Sequence, residues 1–459
     1  MKLRFLGGAR TVTGSCYYLE GRKFKVLVEC GMFQGQEADV VNRRPFAFDP
    51  AALDCLFLTH SHRDHVGLVP RLVKEGFGGG IIATSATADI AELMLYDAAH
   101  IQEADTAWQN RRAERSGLAL TEPLYLPQDV DRVLPLFQRR QYGKREKLCE
   151  DLHYRFLDAG HILGSSTLEL WYRDGDGERK IVFSGDIGKK GSPIVNDPVS
   201  VEEADYLTIE STYGNRKHKG MQESIEELVT IIKTTFRRGG NVIIPSFALG
   251  RTQDLLLILN KLVKEGRLFK INVFIDSPLG ERITRVYAAH PEYFDEEARQ
   301  LFSIASTDNI RIHFTPKTED SMALNRIKRE AIIISSSGMC EGGRVRHHLK
   351  HNLWRKESSL VFVGYQAEGT LGRQIVDRAK TVELFGEKIV VRAGIHTLGG
   401  FSAHADQDEL LVWLCCLRGA PEIFIVHGEE QAAMDFQDAL KKRFPYVSHV
   451  PRVGDTFEI

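Results

Sequence analysis

The sequence predicts an α/β protein in two parts: a layered, β-rich part formed from both ends of the chain, and a parallel-sheet part inserted between them. Three observations carry this. Short β-rich runs closed by Gly, Asp or His fill the chain to about residue 207. From about residue 210, helix-like and strand-like segments alternate, the rhythm of a parallel sheet. After about residue 375 the hairpin-like segment 381–393 and the apolar run 423–426 resemble the opening region again.

In chain order, strands of the first part are read at 25–28, 55–59, 168–172 and 181–183. Segments 85–114 and 127–141 carry Leu, Ala and Ile at helical spacing among many charges, so helices are expected there, covering a sheet face. The inserted part reads as helix 221–237, strand 241–245, helix 252–264, strand 271–275, a further helix and strand 331–335. The expected boundaries are 1–207 and 376–459 for the outer domain and 208–375 for the inserted one.

Composition narrows the function. The chain of 459 residues has 60 Lys plus Arg against 62 Asp plus Glu, a net charge of −2 and 43% hydrophobic residues, which excludes disorder and binding of polyanions by bulk charge. No signal peptide or spanning helix is expected. Seven cysteines without C-x-x-C spacing read as reduced core residues of a cytoplasmic protein.

The chemistry is concentrated in Thr59-His-Ser-His-Arg-Asp-His-Val-Gly67, after an apolar strand and before a helical stretch. In extended backbone His60 and His62 point the same way and can hold one ion, while Asp64 and His65 fall where the chain turns into a helix and can face a second. Burying three imidazoles and a carboxylate unpaired would be costly, which argues against a purely structural role. Further candidate ligands stand at strand ends beside glycines: His161, Asp186 and His427.

Together and in order these residues resemble the metallo-β-lactamase superfamily, whose HxHxDH signature matches positions 60–65. The resemblance implies an αββα metallo-β-lactamase sandwich and two Zn2+ ions, one held by His60, His62 and His161, the other by Asp64, His65 and His427, with Asp186 bridging. One departure is Glu29, where members of this superfamily carry Asp in support of the metal-binding loop; the extra methylene is expected to shift that support.

Segment 206–215 ends a strand with Glu210, and Phe401-Ser-Ala-His-Ala-Asp406 and Ile425-Val-His-Gly-Glu429 follow the insertion. These segments, with 245–253 and 335–344, are similar to the β-CASP branch, which processes nucleic acids, and closest to bacterial and archaeal relatives of the polyadenylation endonuclease. That resemblance implies an inserted parallel-sheet β-CASP domain and a ribonuclease, endonucleolytic or 5′-exonucleolytic, of the two-domain form. It makes Glu210, His404 and Asp186 catalytic, with His404 as proton donor kept protonated by Glu210. Two zinc ions suit such chemistry, because they neutralise phosphate charge and lower the pKa of an attacking water.

RNA is the expected partner; a homodimer is left open and no membrane contact is expected. For substrate contacts, Arg251 stands at a predicted helix start where N–H groups favour anions, and Ser336, Ser337 and Gly338 form a glycine-rich strand end. His218, in the basic run 216–219, is a further candidate. Two alternatives remain: a non-catalytic RNA-binding homologue, and a small-molecule metallo-hydrolase, which would need neither the insertion nor Glu210 and His404.

Overall fold

The computed structural model describes residues 1–35, 37–175, 177–301, 308–366 and 369–459. The chain forms two compact units. Met1–Ser192, Asn196–Lys217 and His404–Ile459 make the first, and Pro193–Val195 with His218–Ala403 make the second.

The first unit is built on two seven-stranded sheets. One runs, in spatial order, Thr456–Glu458, Lys2–Gly7, Cys16–Glu20, Lys25–Val28, Cys55–Phe57, Gly80–Thr84 and Phe137–Arg140. The other runs Val447–His449, Glu422–Val426, Tyr206–Glu210, Gly177–Phe183, Ser166–Asp174, Leu152–Asp158 and Glu146–Cys149. Alternation along each strand divides its side chains between two layers. Val26, Val28 and Phe57 meet Tyr154, Phe156, Phe183 and Phe424 in the core between the sheets. Phe5 and Phe424 pack at 5.3 Å across it, and Tyr17 and Phe183 at 5.7 Å.

The alternate residues of these strands face outward onto helices. Leu27, Leu56 and Leu58 pack with Val69, Leu72 and Leu95 under the first helical layer. Ile423 and Ile425 pack with Leu410 and Phe436 under the second. The result is an αββα sandwich.

Segment 127–141 departs from the expected helix. The helix is Pro127–Val133, and after a single 3-10 turn the chain becomes the edge strand Phe137–Arg140, parallel to Gly80–Thr84. Leu134 keeps helical backbone, but Pro135 has no N–H to bond the carbonyl four residues back, so the α-helix ends there and tightens into the 3-10 turn.

The second unit has a six-stranded parallel sheet in the order Ile310–Phe314, Ile271–Asp276, Ala331–Ser335, Val242–Pro245, Ser359–Phe362 and Gly394–Thr397. Helices Met221–Arg237 and Arg251–Lys264 bury Leu228, Ile232, Leu255 and Leu259 against one face. Residues 376–403, expected in the outer domain, pack in this unit. Gly394–Thr397 extends its sheet beside Ser359–Phe362, and the hairpin Thr381–Leu384/Glu387–Val390 buries Val382 and Leu384 in its core. A hairpin pattern states how two strands pair, not which core receives them.

All seven cysteines are free thiols. Among the described residues no helix is long and apolar enough to cross a membrane.

Candidate metal centre and proton donor

Five strand ends of the first unit and the segment that carries His404 converge on one place. After Cys55–Phe57 the chain bends at Thr59, reaches His62 in extended backbone and then enters the short helix Arg63–Val66. That turn is pinned by backbone bonds: Ser15 N–H to Asp64 O at 2.9 Å, Cys30 N–H to His65 O at 2.8 Å and Met32 N–H to Arg63 O at 3.0 Å. The approach demands Gly31, where any Cβ would stand 1.6 Å from the Asp64 carbonyl oxygen. His161 follows Leu152–Asp158, Asp186 follows Gly177–Phe183, Glu210 ends Tyr206–Glu210, and His427 follows Glu422–Val426.

The side chains gather in three neighbouring groups, the first and third sharing Asp186: His60, His62, His161 and Asp186; Asp64, His65 and His427; and Asp186, Glu210 and His404. His62 Nδ1 lies 3.1 Å from His60 Nε2 and 3.3 Å from His161 Nε2. Asp186 Oδ2 is 3.3 Å from His60 Nε2 and 3.5 Å from His161 Nε2. In the second group His427 Nε2 is 3.3 Å from His65 Nε2 and 3.4 Å from Asp64 Oδ2.

Zinc–nitrogen bonds of about 2.0–2.1 Å at tetrahedral angles place neighbouring ligand atoms about 3.3–3.4 Å apart, close to the distances in the first group and to those from His427 in the second, where His65 Nε2 and Asp64 Oδ2 are wider apart at 3.9 Å. Asp186 reaches both with different oxygens, since its Oδ1 faces His65 Nε2 at 3.4 Å. That Oδ1 is buried without a hydrogen bond. A buried carboxylate oxygen without a donor, ringed by imidazole nitrogens, fits a cation.

Electrostatics agree with ligand duty. Burial lowers the pKa of His60 to about 3, with the neighbouring His65 adding to the effect. Burial likewise brings His62 down to about 4, against the opposing pull of Asp64. Both are therefore neutral at pH 7, as a metal ligand must be. His65 differs: burial lowers it, but Asp186, Glu29 and Asp64 outweigh burial and hold it well above the ordinary value.

Further hydrogen bonds hold the candidate ligands in place. Glu29 Oε1 accepts the Thr59 N–H at 2.8 Å while its Oε2 stands 3.1 Å from His65 Nδ1. The longer side chain thus spans both partners. Thr59 Oγ1 lies 3.0 Å from His60 Nδ1, and Thr212 Oγ1 lies 3.1 Å from His427 Nδ1. Neither threonine was among the sequence candidates, although each sits within two residues of one, at the spacing where supporting hydroxyls are found.

His404 Nδ1 faces Glu210, at 3.1 Å from Oε2 and 3.3 Å from Oε1, and stands 3.9 Å from Asp186 Oδ2. Glu210 Oε1 also accepts the Ile187 N–H at 2.5 Å. Burial would lower the pKa of His404, but the charge and hydrogen bond of Glu210 raise it to about 9.

The remaining sequence candidates belong to the second unit. Arg251 is the first residue of its helix but is buried, with Nη1 on Asp254 at 2.8 Å. Ser336 Oγ donates to Ser277 Oγ at 3.1 Å, and Ser337 Oγ accepts the Gly342 N–H at 3.3 Å, so both hydroxyls hold the loop itself. Gly338 is buried beneath Phe247, and His218 is half-buried before helix Met221–Arg237.

Comparison with known proteins decides the family. Models of the metallo-β-lactamase superfamily, the β-CASP domain and the Zn-dependent metallo-hydrolase RNA specificity domain match residues 9–233, 252–375 and 388–451. A ribonuclease of Thermus thermophilus is 38% identical over 458 residues, 99% of each chain. The chain belongs to the β-CASP branch of the metallo-β-lactamase superfamily. An RNase J-like protein of Methanocaldococcus jannaschii is 30% identical over 100% of this chain and 99% of its own. The transcription termination factor FttA of the same organism is 30% identical over 100% of this chain and 72% of its own. A crystal structure of a protein of unknown function from Enterococcus faecalis matches 99% of both chains at 11% identity with a TM-score of 0.55, which concerns the fold alone.

Proposed function

We propose that this β-CASP protein is a zinc-dependent ribonuclease that hydrolyses RNA phosphodiester bonds, with two zinc ions at the converging loops. One arrangement carries the reading: two ligand groups joined by Asp186, with a His404–Glu210 pair beside them. A proton donor next to a cation site is what phosphodiester hydrolysis requires, since the attacking side needs charge neutralisation and the leaving oxygen needs a proton. Bound zinc would supply the positive charge and an activated water.

The chain's own residues do the rest. Glu210 takes the Nδ1 side of His404, so the transferable proton sits on Nε2, and the carboxylate stabilises the imidazolium until the leaving oxygen accepts that proton. Asp186 orients the two ligand groups toward one another. Relatives named for RNA cleavage and for transcription termination support RNA as the substrate. The free thiols support a reducing compartment, the cytoplasm.

Elemental analysis of the purified protein tests the metal, with two zinc ions per chain expected. Incubation with internally and 5′-labelled RNA bearing 5′-phosphate or 5′-hydroxyl ends then separates endonucleolytic from 5′-exonucleolytic cleavage. A zinc-loaded protein that binds RNA but leaves it intact would overturn the ribonuclease reading.

A further inference from the structure

The second unit carries an exposed aromatic ring on a rigid mount. Phe247 follows strand Val242–Pro245 and is 41% exposed. Its loop is tied on every side: Ser246 N–H bonds Ser335 O at 3.0 Å, Thr252 Oγ1 donates to Phe247 O at 2.7 Å, and Gln253 Nε2 donates to Ala248 O at 3.1 Å.

The ring rests on Gly338, where a Cβ would come within 2.9 Å of its Cδ2 and 3.0 Å of its Cε2. A side chain at Gly338 would lift the ring from its seat. Gly364 flanks it, a Cβ there lying 3.9 Å from Cε2. Gln366 locks the two flanking loops together, its Nε2 donating to Gly338 O at 3.0 Å and to Gly364 O at 3.2 Å.

Three loops at the C-terminal ends of the neighbouring strands Ala331–Ser335, Val242–Pro245 and Ser359–Phe362 thus present one fixed ring. That edge of a parallel sheet is where ligands bind in open α/β folds. Phe247 is the one large exposed hydrophobic side chain in these loops among the described residues. A docking site for a protein helix or strand needs a contiguous apolar patch of some hundreds of Å2, and this is not one. A single ring seated on glycine backbone suits a flat, polar-edged partner. Every nucleobase offers such a face, and its stacking is tolerant of sequence.

Resting on the ribonuclease reading, we propose that Phe247 is a stacking platform for one nucleobase of a single-stranded RNA substrate. Because the mount is preorganised, little side-chain ordering opposes binding.

The test uses zinc-loaded full-length protein and a short unstructured RNA, together with copies carrying one abasic position moved along the strand. For Phe247→Ala, KM is expected to rise about tenfold, the range of one lost base stack, and Phe247→Trp is expected to restore it. One abasic position should raise the wild-type KM about tenfold and leave that of Phe247→Ala unchanged. A variant that is merely misfolded loses zinc and kcat instead and keeps the abasic effect. If Phe247→Ala and wild type give the same KM and the same abasic profile, the platform is overturned while the ribonuclease reading stands. If the wild type neither binds nor cleaves any of the RNAs, both fall.

Discussion

Replacing Glu29 with alanine removes a single carboxylate that serves two partners at once. Its Oε1 accepts the Thr59 N–H at 2.8 Å, directly before His60, and its Oε2 stands 3.1 Å from Nδ1 of His65. Without it the buried Thr59 donor is left unsatisfied, a cost of about 1–3 kcal/mol in stability. His65 also loses the partner that orients its ring toward Asp64 and His427, and losses of this kind reduce metal affinity about 10–100-fold. Expressed as binding free energy that is about 1.4–2.7 kcal/mol. Glu29→Asp shortens the reach by about 1.5 Å, one carbon–carbon bond, so it should keep one partner and lose the other. The assay is zinc competition against a chromogenic chelator at neutral pH, with urea unfolding of the metal-saturated proteins alongside. Zinc affinity in a folded Glu29→Ala protein within twofold of wild type would refute the claim that this carboxylate orients His65.

Other predictions concern the proton donor, the second unit and the metal. Burial disfavours a charged His404 while Glu210 raises its pKa to about 9, so Glu210→Gln should move the alkaline limb of the pH–rate profile to lower pH and slow cleavage by about 10²–10⁴-fold. An unshifted limb would remove Glu210 from that role. Buried Asp276 accepts from Ser321 at 2.6 Å, Thr315 at 2.8 Å and Arg344 at 2.8 Å, and lies 2.6 Å from His348 Nε2. Asp276→Asn should therefore cost about 3–5 kcal/mol at pH 7. Burial opposes ionisation of Asp276, but its partners, His348 first, bring its pKa down to about 2 from 3.8. A depressed carboxylate stabilises the fold above its unfolded pKa and loses that contribution as pH falls through the folded one. The wild-type advantage should thus shrink by on the order of 2 kcal/mol between pH 4 and pH 2, and a gap independent of pH in urea unfolding would refute it. Finally, stripping zinc with a chelator should lower the thermal midpoint, since metal at 100 times its Kd contributes about 2.7 kcal/mol; an unchanged midpoint would show that metal binding and folding are not linked.

What the sequence made legible followed from local periodicity and from ligands bunched in one turn. The run 60–65 declares itself because period two and a helix start aim four side chains without help from distant residues. His161, Asp186 and His427 are weak signals alone, since their meeting depends on loops up to 362 residues apart in the chain, as His65 and His427 are. Thr59 and Thr212 carry no signal in the sequence, because a hydroxyl near a candidate means nothing until its distance to an imidazole is known. Arg251 reads as an exposed cation at a helix start, but it is buried, and Asp254, three residues on and within ion-pairing reach on a helix, takes its charge. Segment 127–141 shows the limit of helical spacing: Pro135 overrides the pattern, and the apolar residues beyond it serve an edge strand. Placing residues 376–403 needed sheet pairing across the unit, which no local pattern records.

The central claim is that zinc held by these loops cleaves RNA. Its most direct test is the single-turnover cleavage rate of internally labelled RNA by zinc-loaded wild type and by Asp64→Asn, both verified as folded by circular dichroism. The account predicts cleavage by the wild type and at least a hundredfold slower rate, on the order expected for loss of one metal-centre group, in the variant. Equal rates would contradict it.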